Sequence, residues 1–268
     1  PGGVPSGMYG TILVPTDGSE HARLAAAHAS HVASAFDATV HLLAAVDVAA
    51  AAGPFNAGGI DAAFRERIEG KAETWLDETA AAVDDSVATE RTVRDGNPAE
   101  AIVAHADEIG ADLIAMGTHG RTGVGRFVLG SVTERVLHLA EVPVFTVTAR
   151  GDREPGAPIE EVLVPTDGSE RAATAVDHGL AFAGIDDARV HAVSVLDESV
   201  SPEDADPLLD EIHAEIEVQA SEAVAAIADA ATDAGLEATT ALREGHPAEA
   251  LLAYVEEADI DLIAIGTQ

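Results

Sequence analysis

The chain has 268 residues and a mass of 27.3 kDa, with 47% hydrophobic residues, which suits two domains of ordinary size with real cores. It carries 48 acidic against 14 basic residues, a net charge of −34, and no cysteine. This excludes disulfide staples, cysteine-held metals and the basic patches that nucleic-acid binding needs. No apolar run approaches a membrane span and no secretory h-region appears. The acids are spread through segments of clear helical or strand pattern, which points to a halophilic protein. In molar salt the Debye length falls to about 3 Å and self-repulsion is screened.

Residues 1–7 read as a remnant ahead of a natural start at Met8 and are set aside. A buried strand is predicted at 11–14, and Ser19 caps a helix running to about Phe36. A second strand spans 40–46. The Ala- and Gly-rich stretch 49–59 is expected to be a mobile loop. Ile60, Phe64, Ile68, Ala72, Trp75 or Leu76, and Thr79 trace a helical stripe. A third strand is predicted at 87–93, and Pro98 takes the first-turn position of a helix ending near Gly110. The apolar run 113–116 is the fourth strand, followed by a loop with Gly117, Gly120, Gly123 and Gly125. Ser131, with Glu134 three residues on, reads as a capping box that starts a helix to about Leu139. The last strand is 142–147.

The chain is an internal repeat. LVPTDGSE at 13–20 recurs unchanged at 163–170, GNPAEA at 96–101 returns as GHPAEA at 245–250, and DLIA at 112–115 returns at 261–264. A period this long means two copies of one domain: residues 8–149, a linker at 150–158, and residues 159–268. Gln268 matches His119, so the second copy is expected to be a fragment without its last helix and strand. Strands alternating with helices predict parallel α/β sheets covered on both faces, with ligands at the carboxyl ends of the strands. Strand, glycine-rich loop and helix N-terminus in that order make an anion cradle, so a phosphate is expected near Gly117, Gly130 and Ser131. There is no Walker A loop, since Lys71 is the sole lysine, and the first turn, Pro15-Thr16-Asp17-Gly18-Ser19, is not the G-x-G-x-x-G fingerprint.

On these residues the chain resembles a tandem universal stress protein. The pattern G-x2-G-x9-G-[ST] of that family's nucleotide-binding members matches Gly117, Gly120, Gly130 and Ser131. The resemblance implies an open parallel five-stranded sheet in the order 3-2-1-4-5 and a ligand that is ATP, or ADP or AMP, with or without Mg²⁺. It implies that the Ala45 main chain meets adenine and that Pro15, Thr16 and Asp17 lie at the ribose and phosphates, Asp17 directly or through Mg²⁺. Met116 and Gly117 would line the ribose, and the N–H groups of Gly120, Gly130, Ser131 and Val132, with the Ser131 hydroxyl, would hold the phosphates. In the second copy the matching positions are Thr166, Asp167, Val195 and Gly266. Ala45 is smaller than the branched residue usual there. Pairing through the last strand, by Val142, Val144, Phe145 and Val147, is also implied, either as a pseudo-dimer within the chain or as a homo-oligomer.

Arg121, Arg126 and His119 lie in the loop and are either phosphate contacts or solvated. His28 and His31 stand at i, i+3 without an evident third metal ligand, and Trp75 and Phe64 read as core. The leading reading is a cytoplasmic ATP-binding regulatory module acting through an unknown partner protein. The competing readings are a nucleotide-free scaffold and an enzyme, either a slow ATPase or one of the adenine-nucleotide α-hydrolase group. The S-G-G-x-D-S or H-I-G-H signature of that group is missing after strand one.

Overall fold

Short apolar runs become parallel strands where helices can cover both faces. The computed structural model describes residues 7–52, 62–118, 129–148, 155–197 and 207–266. The chain divides into two compact units, Gly7–Ala157 and the residues from Pro158 onward. In the first, β1 (Thr11–Pro15), β2 (Thr39–Val46), β3 (Thr89–Asp95), β4 (Leu113–Gly117) and β5 (Val144–Val147) form a parallel sheet in the order β3-β2-β1-β4-β5. The helices are α1 (Glu20–Phe36), α2 (Val48–Ala52), α3 (Ala62–Ala80), α4 (Pro98–Ile109) and α5 (Ser131–Leu139). α1 packs with α3, and α4 packs with α5. Leu13, Leu43 and Ile114, buried completely, meet Ile102 of α4 and Val136 of α5.

The second unit repeats the plan with β6 (Glu161–Pro165), β7 (Arg189–Leu196), β8 (Ala238–Glu244) and β9 (Leu262–Ile263) in the order β8-β7-β6-β9. Its helices are α6 (Glu170–Asp186), α7 (Pro207–Asp233) and α8 (Pro247–Glu257). The cap chemistry is repeated as well. Ser19 and Ser169 accept from Ala22 N–H and Ala172 N–H, and Asp37 and Asp187 both close their helices at φ 56°.

Four local readings change. Residues 49–52, expected as loop, belong to α2, while 53–59 and Ile60 lie outside the described residues. β3 starts at Thr89 because the Val87 N–H is used in a turn, donating to the Asp84 carbonyl at 3.0 Å. β5 starts at Val144, after Pro143, whose carbonyl accepts the Ile114 N–H. Ser131 is the first helical residue of α5 and not its cap; Gly130 is the cap, so no capping box forms with Glu134.

The sheet opens where the site is expected. β1 and β2 stay paired to Pro15↔Leu43, but β1 and β4 pair only at Ile12↔Leu113 and Leu13↔Ile114. Beyond that point β4 follows β5, to Gly117↔Val147. The strand order reverses at this place, which is the switch point of an open α/β sheet.

Candidate functional site in the first unit

Gly117 is the hub of the crevice. A Cβ built there would stand 2.6 Å from the His21 Cβ and 2.8 Å from the His21 carbonyl carbon, so the end of β4 touches the first turn of α1. On its other side the Gly117 carbonyl accepts the buried Thr133 hydroxyl at 2.9 Å, which fixes the first turn of α5 against the same strand end. Two helix N-termini thus converge on one glycine, which is needed for close packing before any ligand arrives.

The amides at the two helix starts differ in what they have left to give. At α1, Gly18 N–H donates to Thr16 Oγ1 at 3.0 Å and Ser19 N–H to Asp17 Oδ1 at 3.0 Å. At α5 the Gly130 N–H, expected to hold phosphate, instead donates to the Thr118 carbonyl at 2.8 Å. That bond already occupies this amide within the first unit. The amides of Ser131, Val132 and Thr133 have no acceptor among the described residues, as the first turn of a helix dictates. The anion cradle therefore begins one residue later, at the positive end of the α5 dipole.

β2 supplies a second set of open groups. Its odd-numbered residues turn their backbone groups toward β1, and the last bond between the two strands runs from Thr16 N–H to the Leu43 carbonyl at 2.8 Å. The next residue facing that side is Ala45, whose N–H and C=O project past the end of β1. One donor and one acceptor two covalent steps apart suit the edge of a heterocycle.

The remaining predicted residues fall as follows. Pro15 and Met116 are buried at their strand ends. Thr16 is also buried, and its hydroxyl shares a 2.6 Å hydrogen bond with Thr79 of α3, so it braces the sheet against that helix. Asp17 is half-buried, Ser131 is exposed and Val132 is half-buried. Gly120, His119, Arg121 and Arg126 lie outside the described residues. His28 stacks edge-on against Phe145, and no cluster of three or more metal-ligating side chains occurs among the described residues. Trp75 and Phe64 are half-buried on α3.

In the second unit Asp167 and Val195 line one cleft of about 460 Å³. Thr166 gives its N–H to the Val193 carbonyl at 2.9 Å and accepts from Gly168 N–H at 3.1 Å. Gly266 is exposed beyond β9. The reading of the residues missed that α7 walls this cleft, because its register against β7 comes only from the packing.

A sequence model of the universal stress protein family matches residues 8–148 and again 158–268. The chain belongs to that family. Universal stress protein MJ0531 of Methanocaldococcus jannaschii is 38% identical over 141 residues, covering 52% of this chain and 82% of the relative. The crystal structure of a universal stress protein from Archaeoglobus fulgidus matches with a TM-score of 0.65 at 23% identity, over 96% of this chain and 85% of that one. A universal stress protein solved in complex with cAMP matches 53% of this chain and 98% of its own at 27% identity, with a TM-score of 0.39. Among the described residues of this universal stress protein, no helix is long and apolar enough to cross a membrane.

Proposed function

We propose that the first unit binds an adenine nucleotide, ATP or its di- or monophosphate, and works as a nucleotide-dependent regulatory module and not as a fast enzyme. One observation carries the reading: the amides of Ser131, Val132 and Thr133, which have no acceptor among the described residues, open α5 on the same carboxyl side of the sheet on which the Ala45 N–H and C=O project past the end of β1. The first group suits phosphate and the second an adenine edge. Asp17 stands at the β1–α1 turn between them, where its carboxylate would take ribose hydroxyls or a Mg²⁺ ion. With no cluster of metal ligands among the described residues, such an ion would be held chiefly by the nucleotide's own oxygens. The sole lysine, Lys71, lies on α3 and no P-loop exists, so fast phosphoryl transfer has no equipment here. The wide spread of acidic residues supports work in molar salt, which we assign to a cytoplasmic setting. β5, an open sheet edge with half-buried Val144 and Phe145, is the surface we assign to pairing, within the chain or between chains.

The helix geometry supplies a clean test. Ser131 is the first helical residue and Gly130 before it is extended (φ −62°, ψ 140°), so proline fits at 131 without breaking α5. Ser131→Pro removes the amide and the hydroxyl; Ser131→Ala removes the hydroxyl alone. Titrated with ATP in molar KCl, the proline variant should bind about 10- to 100-fold more weakly, the alanine variant less affected, and Asp17→Ala weakened as well. Equal affinity in all four proteins would defeat the assignment.

A nucleotide-free scaffold is the second reading, and three residues favour it. Thr16, Gly117 and Gly130 each have a sufficient structural task in the first unit. Undetectable ATP binding by the unaltered chain would select it.

A further inference from the structure

In the first unit α3 crosses the carboxyl end of the sheet past the end of β2. Its Thr79 hydroxyl shares the 2.6 Å bond with Thr16, which follows β1, and its Arg65 guanidinium pairs at 2.9 Å with the carboxylate of Asp95, which ends β3. β2 lies between those two strands, so the turns of α3 between Arg65 and Thr79 pass the place where the Ala45 N–H and C=O project. Trp75 stands one turn before Thr79 and Lys71 two turns before it. Residues four apart share a helix face.

The repeat shows which side of this helix faces the strand ends. Setting the buried stripe Leu76, Thr79, Val83 on Val224, Ile227, Ala231 aligns α3 with α7. Trp75 then matches Ala223 and Lys71 matches Gln219, while Ala45 on the strand matches Val195. Ala223, Gln219 and Val195 all line the second unit's cleft of about 460 Å³. Their counterparts therefore wall the crevice of the first unit. Across it the copies have exchanged sizes: an indole faces a methyl group in the first unit, and a methyl group faces an isopropyl group in the second. Such an exchange is what two facing walls need to keep their spacing. Trp75 is only half-buried, unlike Ala72, Leu76 and Thr79 beside it, so it is not the core residue expected from its helical stripe. Lys71 is exposed and is the sole lysine of a chain with 48 acidic residues, yet it makes no ion pair among the described residues.

We propose that Trp75 and Lys71 are specificity-determining residues of the first unit: the indole stacks on the base whose edge meets Ala45, and the ammonium meets the nucleotide's phosphates. The proposal rests on the nucleotide reading of the first unit and adds a wall from α3, away from the strand-end and glycine-loop residues of that reading. Stacking on an aromatic side chain gives affinity for any heterocycle. The ammonium separates an anionic nucleotide from an uncharged nucleoside, and in molar salt it does so only by close contact. With Ala223 and Gln219 the second unit lacks both contacts.

Trp75 is the sole tryptophan, so indole emission reports this wall alone. Titrated with ATP in molar KCl, the full chain should change its indole emission and reach a plateau. By calorimetry Trp75→Ala should weaken ATP and adenosine alike, about tenfold, and Trp75→Phe should keep most of the affinity for both. Lys71→Gln, which installs the second unit's residue at an exposed position, should weaken ATP about tenfold and leave adenosine unchanged, while Lys71→Arg should keep ATP. Emission indifferent to bound ATP, Trp75→Phe binding no better than Trp75→Ala, or Lys71→Gln binding ATP as tightly as the unaltered chain or losing adenosine equally would overturn the proposal. If such a result comes with ATP bound and weakened by Ser131→Pro, the nucleotide reading stands and this proposal falls alone. No ATP binding by the unaltered chain removes both.

Discussion

His105→Tyr in the first unit should stabilise the protein, because the repeat has already carried out the exchange in the second. His105 on α4 is 5% exposed, and its Nδ1 lies 3.3 Å from Arg94 Nη2. A guanidinium only donates, so Nδ1 accepts and Nε2 carries the proton. That Nε2 is buried with no partner among the described residues. The second unit has Tyr254 at the matching position, and its hydroxyl meets Nδ1 of buried His191 at 2.8 Å. The Arg243 guanidinium, which matches Arg94, lies 4.9 Å from the centre of the tyrosine ring. His41 is the first unit's counterpart of His191; its Nδ1 stands 3.5 Å from the Glu90 carboxylate, within reach of a hydroxyl placed at 105. An orphaned buried donor costs about 1–3 kcal/mol and a satisfied bond returns about 0.5–1.5. A larger ring forced into a filled core costs about 1–3 kcal/mol. The net gain is about 1 kcal/mol, or about 2–4 °C in Tm for a unit of this size. Burial, the leading cause, lowers the His105 pKa below its usual 6.5, with Arg94 and His41 pushing the same way and Glu108 opposing. The unfolded chain therefore takes up a proton first as pH falls, and stability that is full above pH 6.5 is lost on acidification toward the folded pKa. Half-buried His178, its pKa lowered chiefly by burial, acts in the same direction in the second unit, so the difference between wild type and variant isolates His105. Thermal unfolding in molar KCl at pH 7.5 and 5.5 is the assay. A lower Tm at pH 7.5, or an unchanged pH slope in His105→Tyr, would refute the reasoning.

Gly117→Ala should cost about 1–3 kcal/mol, since the new methyl meets the backbone of His21 and neither side can yield cheaply; an unchanged urea midpoint would contradict it. Asp112→Ala and Asp261→Ala should each cost about 1–2 kcal/mol by unfolding assays. Each carboxylate ties down the two amides leading into a central strand, Gly10 and Thr11 in one unit and Glu160 and Glu161 in the other. A loss in only one unit would break the equivalence. Tm should rise steeply with KCl between dilute buffer and molar salt, because a net charge of −34 is screened; a flat response would remove the halophilic reading.

The central strands were legible because both their faces are buried, which leaves short unbroken apolar runs such as 113–116, whereas the edge strand β3 is largely exposed. Helix limits at Ser19, Pro98 and Gly110 were legible because helix ends carry their own chemistry. The repeated Asp112 and Asp261 showed in the sequence as part of a matching tetrapeptide, but their bonds to a strand far away in the chain did not. Ser131 misled because its S-x-x-E pattern puts the cap one residue later than the chain does, at Ser131 and not at Gly130, whose N–H bonds Thr118. The glycines at 117 and 130 were read as openings for a ligand, yet 117 is fixed by the approach of α1, a distance no local pattern records. The wall of the second cleft was hidden for the same reason. Which face of a 27-residue helix lies over a strand is decided by packing.

Amide hydrogen exchange across residues 129–139, measured with and without ATP in molar KCl, tests the central claim most directly. The account predicts that Ser131, Val132 and Thr133, which exchange fast in the free protein, slow markedly when ATP is added, while the Gly130 amide, already bonded to Thr118, changes little. ATP bound at full occupancy with those three amides exchanging as fast as before would contradict it.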